Sequence, residues 1–373
     1  MPSLWSQLPL EVVVKIAFSI QEAEDLLTIL KTIQDEIDLG PLEHLFELGK
    51  ANSNWKDLLS QLPHLTYLDV GEDYNSFGDV FEFVAMSNAI TEFLAYTVQY
   101  KMTTSDVIRL TKWFRTQPVR RLELAFVDAG GVDKDVKKEF YEAMLKCETL
   151  ETLNISNRGF TDIINISNRG FTDLEFIKWP LALKSLRLNL EGITSDVVKS
   201  LASQLEDSGV NHLAIVQYTD KNTEGMEHLL RVLPRTSIKH LELSHLLIDD
   251  TTWCKLAPLF ESCPVSILTL HSEKIPTGFA QDFATALEKN QSICELDLDH
   301  SDIGHADLQQ LIRSFSNSSR PVKRKRFKVK GPYSQPILDD EEESLKKLAA
   351  ECGVKFMNRY LECRVSYSCI SWD

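Results

Sequence analysis

The 373-residue chain contains no apolar run of about 18 residues free of charge, so no membrane-spanning helix is expected. Its opening residues, Met1-Pro2-Ser3-Leu4-Trp5, lack a basic stretch and a small-residue cleavage site. Glu11 and Lys15 interrupt the apolar run that follows, so no secretory signal is expected. The seven cysteines, at 147, 254, 263, 294, 352, 363 and 369, are odd in number and form no C-x-x-C pair. They imply reduced thiols in the cytoplasm or nucleus, mostly serving as small core residues. There is no Gly-rich phosphate loop, since Gly130-Gly131 stands alone as a turn, and no G-x-S-x-G or H-E-x-x-H arrangement. The nine histidines are scattered. No cofactor, metal or catalytic centre is expected, and the chain reads as a non-enzyme. Positive charge is also short: 40 basic against 55 acidic residues give a net charge of −15. That balance argues against nucleic acid and anionic membranes as partners.

What the sequence has is a repeat. An apolar triplet, L-x-x-L-x-L, recurs as Leu65-x-x-Leu68-x-Val70, Ile90-x-x-Phe93-x-Ala95 and Val119-x-x-Leu122-x-Leu124. It continues as Leu150-x-x-Leu153-x-Ile155, Leu183-x-x-Leu186-x-Leu188 and Val210-x-x-Leu213-x-Ile215. Ile238-x-x-Leu241-x-Leu243, Val265-x-x-Leu268-x-Leu270 and Ile293-x-x-Leu296-x-Leu298 follow, and Phe327-x-Val329 is a degenerate tenth copy. First positions lie 25 to 33 residues apart. Period-two alternation places Leu68 and Val70 on one face of a short strand, with Tyr67 and Asp69 on the other. Between triplets the spacing predicts helices, as at Ser195 to Glu206, where Val197, Leu201 and Leu205 form a stripe behind Ser195 as N-cap. Thr223 to Val232, Thr251 to Phe260 and Ala306 to Phe315 read the same way. A unit of one strand and one helix cannot bury its apolar face alone, and stacking buries it.

This pattern resembles the long, ribonuclease-inhibitor-like type of leucine-rich repeat. The resemblance implies an α/β solenoid, a horseshoe with parallel strands on the concave side and helices on the convex side. One segment breaks the rhythm: Asn154 to Asp162 is repeated letter for letter at Asn165 to Asp173, a tandem duplication read as an enlarged loop.

Residues 1–60 do not follow the repeat and read as helices over Leu10 to Ile20, Gln21 to Gln34, Pro41 to Lys50 and Trp55 to Leu62. Leu8-Pro9-Leu10-Glu11, the apolar positions through Ile16 and Ile20, and Asp25-Leu26-Leu27 resemble the opening of an F-box. That family's tryptophan in the second half is absent in register, Trp55 lying too late. The resemblance implies docking on the Skp-type linker subunit of a cullin ubiquitin ligase through Leu8, Pro9, Glu11, Val12, Ile16, Ile20, Leu26 and Leu27. The repeats behind would then hold a substrate protein. A plain cap on the solenoid end is the competing reading, and there the same residues would be buried. The expected organisation is an F-box-like module at 1–60, a solenoid at 61–335 and a capping helix with tail at 336–373. In that last part, acidic residues 339–343 precede Leu345 and Leu348, and Gly353 closes the helix.

Outward strand positions form columns not spent on the core, and these are the candidate substrate-binding residues: Tyr67, Asp69, Glu92, Arg121, Glu123, Arg187, His212, His240, Glu242, Glu295, Asp297 and Asp299. The acidic set Glu242, Glu295, Asp297 and Asp299 suggests a partner with a basic patch. Asp297, Asp299, His300, Asp302 and His305 are the tightest ligand-like group, but their spacing fits no calcium loop and they read as an acidic patch. Lys323 to Lys330 resembles a nuclear-localisation patch, yet Phe327 and Val329 alternate as in a strand, so a charged sheet edge is the reading adopted.

Overall fold

The computed structural model describes residues 12–13, 16, 23–34, 67–70, 80–81, 84–85, 90–158, 179–193, 195–218, 224–246, 249–272, 275–298, 301, 303–317, 320, 322, 326–329 and 339–357. The chain divides into two compact units, Met1–Ile163 with Pro180–Leu183, and Ile164–Trp179 with Lys184–Asp373. The division at Ile163/Ile164 lies between the two copies of the duplicated segment.

In the first unit, α1 (Ala23–Ile33) precedes β1 (Tyr67–Val70), β2 (Glu92–Lys101), α2 (Thr104–Thr116), β3 (Arg121–Asp128), α3 (Lys134–Leu145) and β4 (Thr152–Arg158). The strands pair in parallel and in sequence order, with Tyr67 opposite Glu92, Glu92 opposite Arg121 and Arg121 opposite Thr152. The register therefore aligns the triplets that the sequence predicts. Leu68, Phe93, Leu122 and Leu153 stack as one fully buried column, and Ala95, Leu124 and Ile155 form the next. Aromatic rings tie helix to strand: Phe93 meets Trp113 of α2 edge-on at 6.2 Å, and the Trp113 indole donates to the Ile90 carbonyl at 2.9 Å. α2 opens with a capping box, in which Thr103 and Asp106 satisfy each other's backbone N–H groups. β4 is built from the first copy of the duplicated segment, and residues 159–178, including the second copy, lie outside the described residues.

The second unit alternates the same way: β5 (Ser185–Ile193), α4 (Ser195–Leu205), β6 (His212–Tyr218), α5 (Glu224–Val232), β7 (His240–Ser244), α6 (Asp250–Leu256), β8 (Ile267–His271), α7 (Thr277–Lys289), β9 (Glu295–Asp297), α8 (His305–Ser316), β10 (Arg326–Lys328), α9 (Asp339–Glu351) and β11 (Lys355–Met357). All pairings are parallel, and Leu186, Leu213, Leu241, Leu268, Leu296 and Phe327 make an unbroken buried column. The degenerate tenth triplet is thus a true strand, with Phe327 and Val329 buried, and Lys355–Met357 adds an eleventh. Gly353, in the left-handed region at φ 64°, ends α9 as expected.

Two local expectations are corrected. The helix read over 251–260 stops at Leu256 and continues as a 3₁₀ turn, Ala257–Ser262, because Pro258 removes a backbone donor. Pro234 likewise opens a 3₁₀ turn after α5, which ends at Val232 where the spacing places it. Ser195 is the first helical residue rather than a cap. Its hydroxyl accepts from the Gly225 N–H at 2.5 Å, bracing the next repeat.

Candidate functional site

In each unit the helices cover the sheet face that carries the apolar triplets. The third and fifth strand positions point to the opposite face of the sheet. In the first unit Arg121 and Glu123 are neighbours on β3, and the guanidinium donates to the carboxylate at 2.6 Å. The Asn154 amide of β4 donates to the other Glu123 oxygen at 3.0 Å, so this buried carboxylate is held from two strands. Arg120 grips Glu151 through two bonds of 3.1 Å and lies 4.0 Å from Glu92. Tyr67 is half-buried at the start of β1, whereas the Asp69 side chain lies outside the described residues.

The second unit brings more of the predicted residues together. Arg187 on β5 and Glu242 on β7 form an ion pair at 2.6 Å although β6 runs between them. Register explains the reach: Arg187, Ala214 and Glu242 are aligned, and the small, fully buried Ala214 leaves room for the pair to close over it. Ser244 Oγ donates to the second Glu242 oxygen at 2.9 Å. Two residues earlier, His212 and His240 stack ring on ring, with centroids 4.1 Å apart and planes 8° from parallel. His212 Nδ1 shares a proton with Ser185 Oγ at 3.1 Å, while His240 Nε2 lies 3.4 Å from Thr269 Oγ1. Burial pushes the His212 pKa down to about 4, helped by the adjacent His240, against the opposing pull of Glu242. Burial also lowers His240, opposed by Glu242 and Glu295. Both rings are neutral at neutral pH.

A Ser–His contact invites a nucleophile reading, but the chemistry is wrong for it. His212 is too weak a base to take the Ser185 proton, and its Nε2 is buried without a hydrogen-bonding partner to orient the ring. Burial raises the thiols of Cys254 and Cys263, the latter to about 11, and so disfavours the reactive thiolate.

Further along this face, Glu295 and Asp297 of β9 are not left to solvent. Lys328 of β10 sits 2.5 Å from Glu295 and 3.7 Å from Asp297, Arg326 lies 3.5 Å from Glu295, and His271 Nε2 is 3.5 Å from Asp297. Glu242 and Glu295 retain only 8 % exposure each. The acidic surface expected from Glu242, Glu295 and Asp297 is therefore covered by its own cations. Asp299, His300 and Asp302 lie outside the described residues, and no metal-holding cluster of His, Cys, Asp or Glu occurs among the described residues.

One buried group escaped the sequence reading. Arg320, after α8, donates to the carbonyls of Asn290 at 2.7 Å, Phe315 at 2.8 Å and Ile293 at 2.5 Å, and its guanidinium stacks 4.9 Å from the Phe315 ring centre. No periodic signal marks it, because it lies between a helix and a strand.

Of the F-box-like residues, Leu8, Pro9, Glu11 and Ile20 lie outside the described residues. Leu26 and Leu27 fall within α1, but their side chains are not described. Val12, Val13 and Ile16 are helical; Val13 is 1 % exposed, Ile16 intermediate and Val12 38 % exposed. No helix among the described residues is long and apolar enough to cross a membrane.

Each unit has the architecture of an α/β solenoid of leucine-rich repeats, resting on the strand register and the buried triplets. No protein-family model matches the chain, and no curated protein does either. Among solved structures, the leucine-rich repeat-containing protein LegL7 from Legionella pneumophila is similar at 15 % identity, over 76 % of this chain and 97 % of that chain, with a TM-score of 0.40.

Proposed function

We propose that the chain is a non-enzymatic protein-binding platform that works as the substrate-recognition adaptor of a Skp–cullin–F-box-type ubiquitin ligase. The observation that carries the platform reading is the open sheet face, with structured polar side chains in register columns and no helix packed on them among the described residues. Such an adaptor does no chemistry. It raises the local concentration of a substrate beside a ligase.

The recruiting half of the reading rests on the F-box-like residues 8–27 and is supported by Val12. A helix that merely capped the solenoid would bury this side chain as it buries Val13, whereas a linker-binding helix leaves it outward. A substrate with a basic patch would reach Glu242 only by displacing Arg187, exchanging one ion pair for another. The test is titration calorimetry of the full chain with a purified Skp-type linker. Wild type should bind and the Leu8→Ala/Pro9→Ala double variant should not. No heat from wild type would reduce residues 1–60 to a cap and leave a scaffold without a ubiquitin role, and equal heats from both would remove the linker contact from Leu8 and Pro9.

A further inference from the structure

We propose that the end of the second unit's open face, β9 to β11, binds an acidic protein segment. This deepens the platform reading and rests on it. On these three strands the charges are layered. Glu295 and Asp297 lie inward, with side-chain exposures of 10 % and 16 %, beneath Lys328. Arg326, by contrast, keeps 50 % of its side chain exposed while touching Glu295 from outside. Lys355 on β11 stands directly opposite Arg326 in the register, is exposed, and makes no ion pair with a described residue.

Counting Glu295, Asp297, Arg326, Lys328 and Lys355, cations outnumber carboxylates three to two, and the accessible pair is Arg326 with Lys355. Adjacent strands are about 4.8 Å apart, so the two cations present a compact positive site within reach of two partner carboxylates. A guanidinium fork beside an ammonium suits that chemistry: the fork takes a carboxylate through two bonds, and the ammonium takes a second as a point charge. The sequence concentrates more positive charge around β10, with Lys323, Arg324 and Lys325 before it and Lys330 after it. In a chain of net charge −15 this is a local exception. The acidic stretch Asp340–Glu343 on α9, in the same unit, disfavours a long polyanion such as nucleic acid over a short acidic peptide.

The test is fluorescence anisotropy with a labelled twelve-residue Glu/Asp-rich peptide and the full chain. Arg326→Glu/Lys355→Glu reverses the proposed site. Arg235→Glu/Lys289→Glu makes the same charge change at exposed residues elsewhere in the unit. Arg326→Gln/Lys355→Gln repeats the first test with less perturbation, and circular dichroism verifies each fold. The peptide should bind wild type and the control pair alike, weaken about tenfold or more with the reversed pair, and weaken as salt rises. Equal loss in both pairs, no binding by wild type, or preferential binding of a single-stranded RNA of equal charge would each overturn the assignment. Absent peptide binding alongside intact crosslinking of a protein partner from Ile267 on the same face would defeat the charge assignment while leaving the platform reading standing.

Discussion

The stacked imidazoles make the stability of the second unit depend on pH in a calculable way. His212 has an ordinary value of 6.5 and a folded-state value of about 4, so the folded protein favours the neutral ring. Above pH 6.5 both folded and unfolded chains leave it neutral, and the contribution is constant. Between 6.5 and 4 the unfolded chain binds the proton while the folded chain does not, so stability falls as pH falls through that window. At about 1.4 kcal/mol per pH unit the full loss approaches about 3 kcal/mol, less where solvent reaches the ring. A second proton on His240, whose ring centre is 4.1 Å away, would be opposed by like charge as well as by Lys328 nearby, and favoured by Glu242, Glu295 and Asp297. The assay compares urea unfolding of wild type and His212→Asn from pH 7.5 to 4, with ring-labelled histidine NMR following each imidazole directly. The stability difference should shrink with acid, and the His212 resonances should titrate well below 6. A difference independent of pH, or a His212 titration near 6.5, would refute the reasoning.

Other substitutions test the packing logic. Ala214→Leu should part Arg187 from Glu242 and cost about 1–2 kcal/mol, since the pair closes over Ala214 and the guanidinium is part-exposed; Ala214→Gly should leave the pair intact by double-mutant cycle. Arg320→Met strands three buried carbonyls at about 1 kcal/mol or more each, so thermal unfolding should show a loss of about 3 kcal/mol or greater. Gly225→Ala should destabilise by about 1–3 kcal/mol in denaturant melts, because the added methyl would meet the Ser195 carbonyl oxygen at 2.5 Å and its Cα at 2.8 Å, backbone that cannot swing aside.

The buried columns were legible because leucine at period two and again near period 28 admits few arrangements. Leu68, Phe93, Leu122 and Leu153 occupy the places the triplets assign. The open-face columns were legible for the same reason, but the pairing within them was not. Sequence shows Arg187 and Glu242 as separate charges 55 residues apart, and only the alignment of Ala214 between them makes contact possible. Likewise the carboxylates of β9 read as an acidic patch until Lys328 and Arg326 are set beside them on β10. The 3₁₀ turn at Pro258 was readable in principle, since proline ends helical bonding, but the apolar period masked the break.

On the proposed reading, partners are recognised on the open sheet face. A photocrosslinking residue placed at Ile267, in the middle of that face, and another at the exposed Gln281, on α7, would test it most directly in cell extract. Discrete protein adducts should form from position 267 and none from position 281. Adducts from 281 with none from 267 would contradict that reading.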